Sequence, residues 1–109
     1  MKKRINDFEF IFNRQLTEYV IPDGVTEIGE CAFFGCTELK KVTIPDSVTK
    51  IGVRAFDGCI NLKSITIPDG VTEIGRYAFD SCIRLTSVTI PQGCKYEHAF
   101  SNKTKVVIR

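Results

Sequence analysis

A unit of 23 residues recurs along this chain, starting at Ile21-Pro22-Asp23-Gly24, Ile44-Pro45-Asp46-Ser47, Ile67-Pro68-Asp69-Gly70 and Ile90-Pro91-Gln92-Gly93. A short fixed period means one supersecondary unit stacked on itself, each copy burying the apolar face that its neighbour cannot bury alone. Over 109 residues it predicts one domain, 1–109, built as an array of coils. Three full repeats over 21–89 lie between a degenerate N-terminal coil and cap, 1–20, and a shortened C-terminal coil and cap, 90–109. A single central core is disfavoured because the apolar residues return in register. Val25, Ile28, Ala32, Phe33, Cys36, Leu39, Val42 and Ile44 have apolar equivalents one and two periods on, among them Phe56 and Phe79, and Cys59 and Cys82.

Within one coil, Leu39-Lys40-Lys41-Val42-Thr43-Ile44 carries β-branched residues and ends in alternation, as in a strand with one buried face. Pro45, Pro68 and Pro91 follow this segment in each copy; lacking a backbone N–H, they end the pairing and begin a turn. Stacked in parallel about 4.8 Å apart, these strands are expected to form one continuous sheet. A second extended segment, Val25-Thr26-Glu27-Ile28, runs into Gly29, matched by Gly52 and Gly75, as at a tight backbone corner. Because Ser47 stands where Gly24 and Gly70 stand, the turn after the proline is expected not to require positive φ. Ala32-Phe33 and Gly35-Cys36 with their copies leave room for no more than a helical turn.

The ends depart from the pattern. One period before Phe33, Cys36, Leu39 and Val42 stand Phe10, Asn13, Leu16 and Tyr19, which describe a partial coil. Phe8 and Phe12 lack regular counterparts and are expected to close that end. At the other end His98-Ala99-Phe100 arrives two residues early, and Lys105-Val106-Val107-Ile108-Arg109 supplies a shortened final strand. Deviating end coils are what capping requires, since a bare coil exposes core and strand edge.

The unit Ile-Pro-Asp-Gly-Val-Thr-x-Ile-Gly-x-x-Ala-Phe-x-x-Cys-x-x-Leu-x-x-Val-Thr resembles the BspA-like class of leucine-rich repeats from Leu16 to Phe100. In the commoner leucine-rich signature an Asn or Cys follows the strand, whereas here the cysteine precedes it. The resemblance implies a leucine-rich repeat solenoid, right-handed and mostly β with short helical turns, with its parallel sheet on the concave side. It also implies a non-catalytic protein-interaction module, since similar proteins are frequently bacterial cell-surface proteins implicated in adhesion and host interaction.

The net charge of +2 comes from many charges of both signs and argues for neither a nucleic acid nor an anionic membrane. Apolar runs of a few residues exclude a membrane-spanning helix, which needs about 20. Met1-Lys2-Lys3-Arg4 is basic like the start of a secretion signal, but Asn6, Asp7 and Glu9 interrupt the apolar run that such a signal needs. The N-terminus therefore reads as mature structure, of a cytoplasmic protein or of a piece of an exported one. Five cysteines, an odd count, argue against a full disulfide framework and favour a reducing compartment.

Cys36, Cys59 and Cys82 form a column in which Asn13 holds the first place. Cysteine behaves as a small buried hydrophobe, and the Asn points to a compact side chain touching backbone; stacked thiols suit neither disulfide geometry nor a zinc tetrahedron. Cys31 shares its column with Arg54 and Tyr77 and is expected to be exposed. Cys94 stands where Val25, Val48 and Val71 stand and is expected in the core. With His98, the one histidine, it offers two ligands, too few for zinc, and no catalytic set is spaced for assembly. No metal or cofactor and no enzymatic activity are expected.

The outward side of the strands is the default binding surface of a solenoid. Its candidate contacts are Lys40, Lys41, Thr43, Lys63, Ser64, Thr66, Thr86, Ser87 and Thr89. They are small or flexible, without the Trp, Tyr and Arg anchors that dominate binding energies. Phe34, where Asp57 and Asp80 stand in later copies, is expected to pack under the N-terminal segment. A protein partner on the strand face is the leading expectation, self-association through the solenoid ends is the alternative, and a metal-binding or enzymatic role for Cys94 and His98 is a second, disfavoured one. A nucleic-acid role for Lys40, Lys41, Lys63 and Arg84 ranks lower because no aromatic stacking groups lie beside them.

Overall fold

The computed structural model describes residues 3–109; Met1 and Lys2 of the basic start lie outside them. Eight short strands follow in chain order: β1 (Arg4–Ile5), β2 (Glu18–Val20), β3 (Glu27–Ile28), β4 (Lys41–Thr43), β5 (Lys50–Ile51), β6 (Glu73–Ile74), β7 (Ser87–Ile90) and β8 (Lys105–Ile108). Every pairing is parallel, as stacking of identical coils demands. Up to β6 the partners are one period apart: Ile5 opposite Ile28, Ile28 opposite Ile51, Ile51 opposite Ile74 and Tyr19 opposite Val42. The first coil thus begins at β1, earlier than the partial coil expected from Phe10, with Ile5 fully buried in the place of Ile28.

The columns read from the sequence are the core. Phe33, Phe56 and Phe79 are inaccessible to solvent, and so are Ala32, Leu39, Cys59 and Leu62. Their rings stack almost parallel, 4.9 Å apart between Phe33 and Phe56 and 5.1 Å between Phe56 and Phe79. Phe10 continues the stack on one side at 5.1 Å and Phe100 on the other at 5.1 Å. The final coil shortens by steps. Lys95 lies opposite Glu73, Phe100 opposite Phe79 and Lys105 opposite Ser87, so the missing residues leave the turns and the ring stack continues.

Between the glycine corner and the leucine no helix forms. Successive i→i+3 turns carry the chain, such as Ala32 N–H to Gly29 O and Cys36 N–H to Phe33 O. Left-handed residues separate them: Phe8, Cys31, Arg54, Tyr77 and His98 form one column with φ from 54° to 61°, none of them glycine. Such a conformation costs roughly 1–2 kcal/mol for an L-residue. Each of the first four donates its N–H to the next coil, as Cys31 does to Val53 O and Arg54 to Arg76 O, which offsets that cost. Phe12, Gly35, Gly58 and Ser81 make a second left-handed column. Phe8 and Phe12 therefore have regular counterparts. They are 50% and 60% exposed and do not close the end.

At the turn after the proline positive φ is not required, as expected: Gly24 and Gly93 take it, at 91° and 84°, but Ser47 and Gly70 do not, and the Ser47 hydroxyl accepts from Gly24 N–H and donates to Val25 O. The Gly29, Gly52 and Gly75 column is glycine because the coils touch there. A Cβ on Gly52 would lie 2.8 Å from Gly29 C and Ile28 O, and one on Gly75 2.5 Å from Val53 N. Close approach of backbones, and not positive φ, keeps other residues out.

Candidate functional site: the strand face and its split

All nine candidate residues on the strand face, Lys40, Lys41, Thr43, Lys63, Ser64, Thr66, Thr86, Ser87 and Thr89, are exposed. The residues that alternate with them, Val42, Ile65 and Val88, are buried. This face does not form the continuous sheet expected. β2 pairs with β4 and β7 with β8, and the extended segment 63–67 between them joins neither pair. From Lys63 to Ile67 no backbone N–H is hydrogen-bonded within the described residues. The second sheet, in contrast, runs unbroken through β1, β3, β5 and β6 and reaches Lys95.

Charge on the face follows the same division. Glu18 stands opposite Lys41 in the paired β2–β4 ladder, an attractive cross-strand couple. One coil on, Lys63 repeats Lys40, and like charges in facing places oppose pairing. Lys40, Lys41 and Lys63 take part in no ion pair among the described residues. On the other side of 63–67 the Arg109 guanidinium intervenes, donating to Thr89 O at 3.1 Å, to Ile67 O, and to Asp69 Oδ1. Arg109 was not singled out from the sequence; its reach across two coils depends on the shortened last one.

Between β4 and segment 64–66 the split opens a cleft of about 240 Å³ lined by Lys41, Val42, Thr43, Ile44, Ser64, Ile65 and Thr66. That is smaller than the pockets of about 300–1,000 Å³ that enclose small-molecule ligands, and nearer the size of a side chain. A wider, shallower depression lies off β6, where Glu73, Arg76, Lys95 and Glu97 mix both signs of charge around Val53.

The cysteine column is structural. Each thiol donates to a phenylalanine carbonyl of the preceding coil: Cys36 Sγ to Phe10 O at 3.0 Å, Cys59 to Phe33 O at 3.2 Å and Cys82 to Phe56 O at 3.1 Å. Burial pushes the Cys82 thiol up to about 12 and the Cys59 thiol up as well, so these groups stay protonated. Cys31 is buried, 7% exposed, against the expectation of an open thiol, and burial, with the Glu30 carboxylate, pushes its thiol up and disfavours the thiolate. Cys94 is buried as expected, its thiol directed at Lys95 O, while His98 faces the carboxylate of Glu97. Among the described residues no three His, Cys, Asp or Glu side chains cluster as metal ligands.

On the turn edge Phe34 packs under Phe12, ring centroids 5.6 Å apart, in the role expected of it. Arg54 bonds the buried Asp57 at 2.7 Å and lies over the Tyr77 ring at 4.7 Å. The Asp57 carboxyl is raised by burial, with the Arg54 hydrogen bond opposing. This edge holds aromatic rings that the nine strand-face candidates lack, and Phe12 with Phe34, and Arg54 with Asp57 and Tyr77, are engaged with one another. No helix among the described residues is long and apolar enough to cross a membrane.

A family model described as BspA type leucine rich repeat region matches residues 3–108 in six copies. Among solved structures, a leucine-rich repeat protein from Bacteroides ovatus is 35% identical with a TM-score of 0.93 over 98% of this chain and 28% of its own. A leucine rich cell surface protein from Faecalibacterium prausnitzii is 30% identical with a TM-score of 0.83, over 97% of this chain and 29% of its own. The T. pallidum leucine rich repeat protein is 30% identical with a TM-score of 0.79, over 96% and 44% respectively. This chain therefore spans less than half the length of each. No curated protein matches it.

Proposed function

Because the chain belongs to the BspA-type leucine-rich repeat family, we propose that it is a non-catalytic protein-interaction module whose strand face receives a protein partner in a cell-surface, adhesive setting. One observation carries this: Lys40, Lys41, Lys63, Ser64, Ser87 and the threonines are held outward in register by a core that does not need them. The description of the F. prausnitzii neighbour as a cell surface protein supports the setting. Affinity capture with mass spectrometry checks it, using the wild-type chain beside a variant with Lys41, Ser64 and Ser87 changed to Glu. A partner retrieved by the wild type and lost by the variant is expected; identical retrieval by both chains overturns the reading.

End-to-end association of copies is a second reading. It is favoured by Ile108, 49% exposed beside the half-buried Val106 and Phe100 on the last coil, and by Phe10 at the opposite end of the ring stack. Sedimentation should then show mass rising with concentration, and Ile108→Asp should abolish the rise. Constant monomer mass at all concentrations would dismiss it.

A further inference from the structure

Two independent features meet at the split in the strand face. The first is polar main chain without partners: from Lys63 to Ile67 no backbone N–H is bonded within the described residues, although Ile65 and Ile67 on either side of Thr66 are buried. Unpaired main-chain donors are uncommon in folded chains, and those of Ser64, Ile65 and Thr66, the residues of this run that line the cleft, can serve an incoming acceptor. The second is charge. Lys41 lines the opening and Lys40 and Lys63 adjoin its lining residues in the chain; all three are exposed and form no ion pair among the described residues, Glu18 standing opposite Lys41 on the far side of β4, and the hydroxyl-bearing Thr43, Ser64 and Thr66 line it.

We infer that the split is a docking site for an extended acidic segment of a protein partner, one of whose carboxylates enters the cleft between β4 and residues 64–66. This rests on the strand-face reading given above and names the chemistry of the partner. The cleft of about 240 Å³ takes one side chain and not a whole ligand. A carboxylate accepts from backbone N–H, hydroxyl and ammonium groups alike, and the bonds are charge-assisted. Lysine supplies a point charge on a flexible stem, suited to carboxylates spaced along an extended strand. No aromatic or arginine side chain lines the cleft, the Arg109 guanidinium being engaged with Ile67 O, Thr89 O and Asp69, so the affinity is modest and the lysines govern the association rate and its salt dependence. A single-stranded nucleic acid fits less well, since no aromatic side chain stands on this face to stack its bases.

The test titrates a fluorescent peptide of alternating Glu and Thr into the intact chain and follows anisotropy at low and raised ionic strength. Binding that weakens with salt is expected, with loss of about tenfold or more for a Lys41→Glu, Lys63→Glu double variant. The matching Gln and Thr peptide should not bind. Amide hydrogen exchange supplies a readout independent of the variants: Ser64 to Ile67 should gain protection on adding the acidic peptide to the wild-type chain. Failure of the acidic peptide to bind, equal binding of the neutral peptide, or protection appearing only elsewhere would overturn the inference. Displacement of the peptide by equal concentrations of a single-stranded oligonucleotide or inorganic polyphosphate would overturn it too, by showing an unselective polyanion surface. If the capture variant loses a partner that the acidic peptide does not displace, the docking inference fails and the strand-face reading stands. If both chains retrieve the same proteins, the reading itself fails.

Discussion

Around Phe56 the third coil is bonded to its neighbours through ring, thiol and main chain at once, whereas a few residues later, from Lys63 to Ile67, the same coil has no backbone N–H bonded to either neighbour. On the turn edge Phe56 N–H reaches Ala78 O at 2.6 Å, Gly58 N–H reaches Asp80 O at 2.9 Å and Arg54 N–H reaches Arg76 O at 3.0 Å. On the strand face only the outer pairs β2–β4 and β7–β8 are closed. Stability in a stacked array is a sum over neighbour interfaces, and here the middle interfaces place it on one side of the coil. The other side is left with solvated lysines and open main chain, which is where a partner can be received without weakening the stack.

The contrast can be broken most severely at its rigid side. Phe56→Ala removes a ring that two neighbours stack upon and should cost about 3–5 kcal/mol in urea unfolding, far more than any substitution at Lys40, Lys41 or Lys63. A comparable loss at Lys63 would show that the strand face carries the stack after all. Next in size, Gly52→Ala forces a methyl group to within 2.8 Å of the preceding coil's backbone and should cost about 1–3 kcal/mol, read from the same unfolding midpoint.

Alkaline pH probes the thiol column specifically. In the unfolded chain these thiols ionise near 9.0, while in the fold burial holds Cys82 protonated up to about 12. Their contribution is therefore intact below about pH 9 and is lost as pH rises from there towards 12, because the unfolded chain loses protons that the fold retains. Unfolding midpoints across that window should fall more steeply for the wild type than for Cys82→Ala, and parallel slopes would refute the assignment.

The smallest effect lies on the face itself. Amides from Ser64 to Ile67 should exchange faster than those of the paired β2–β4 and β7–β8 ladders. Lys40→Glu, which sets opposite charges across the split, should slow them and add about 0.2–1 kcal/mol. Unchanged exchange in that variant would show that charge does not hold the split open.

Much of this division was legible in the residues, and some was hidden for physical reasons. The Phe and Cys columns were readable because burial leaves few substitutes at each place, and Asn13 already pointed to a contact with backbone. The left-handed column was not readable: Cys31, Arg54 and Tyr77 are not residues that advertise positive φ, and they adopt it for hydrogen bonds to the next coil, at Val53 O, Arg76 O and His98 O. Cys31 was misplaced for the same reason, since its column also holds the exposed Tyr77 and His98. The glycine corner was noticed but its cause, backbone against backbone, exists only once the coils are stacked.

The repeat alone determined the coil, its inward columns and their parallel stacking, because every copy must solve the same burial problem with the same residues. Which interfaces close could be decided only in the tertiary structure. Hydrogen bonding on the strand face depends on what each coil meets across the gap: Glu18 against Lys41 on one side, Lys40 beside Lys63 on the next, and the Arg109 fork beyond. Those are relations between copies, and a period, which records only what the copies share, does not contain them.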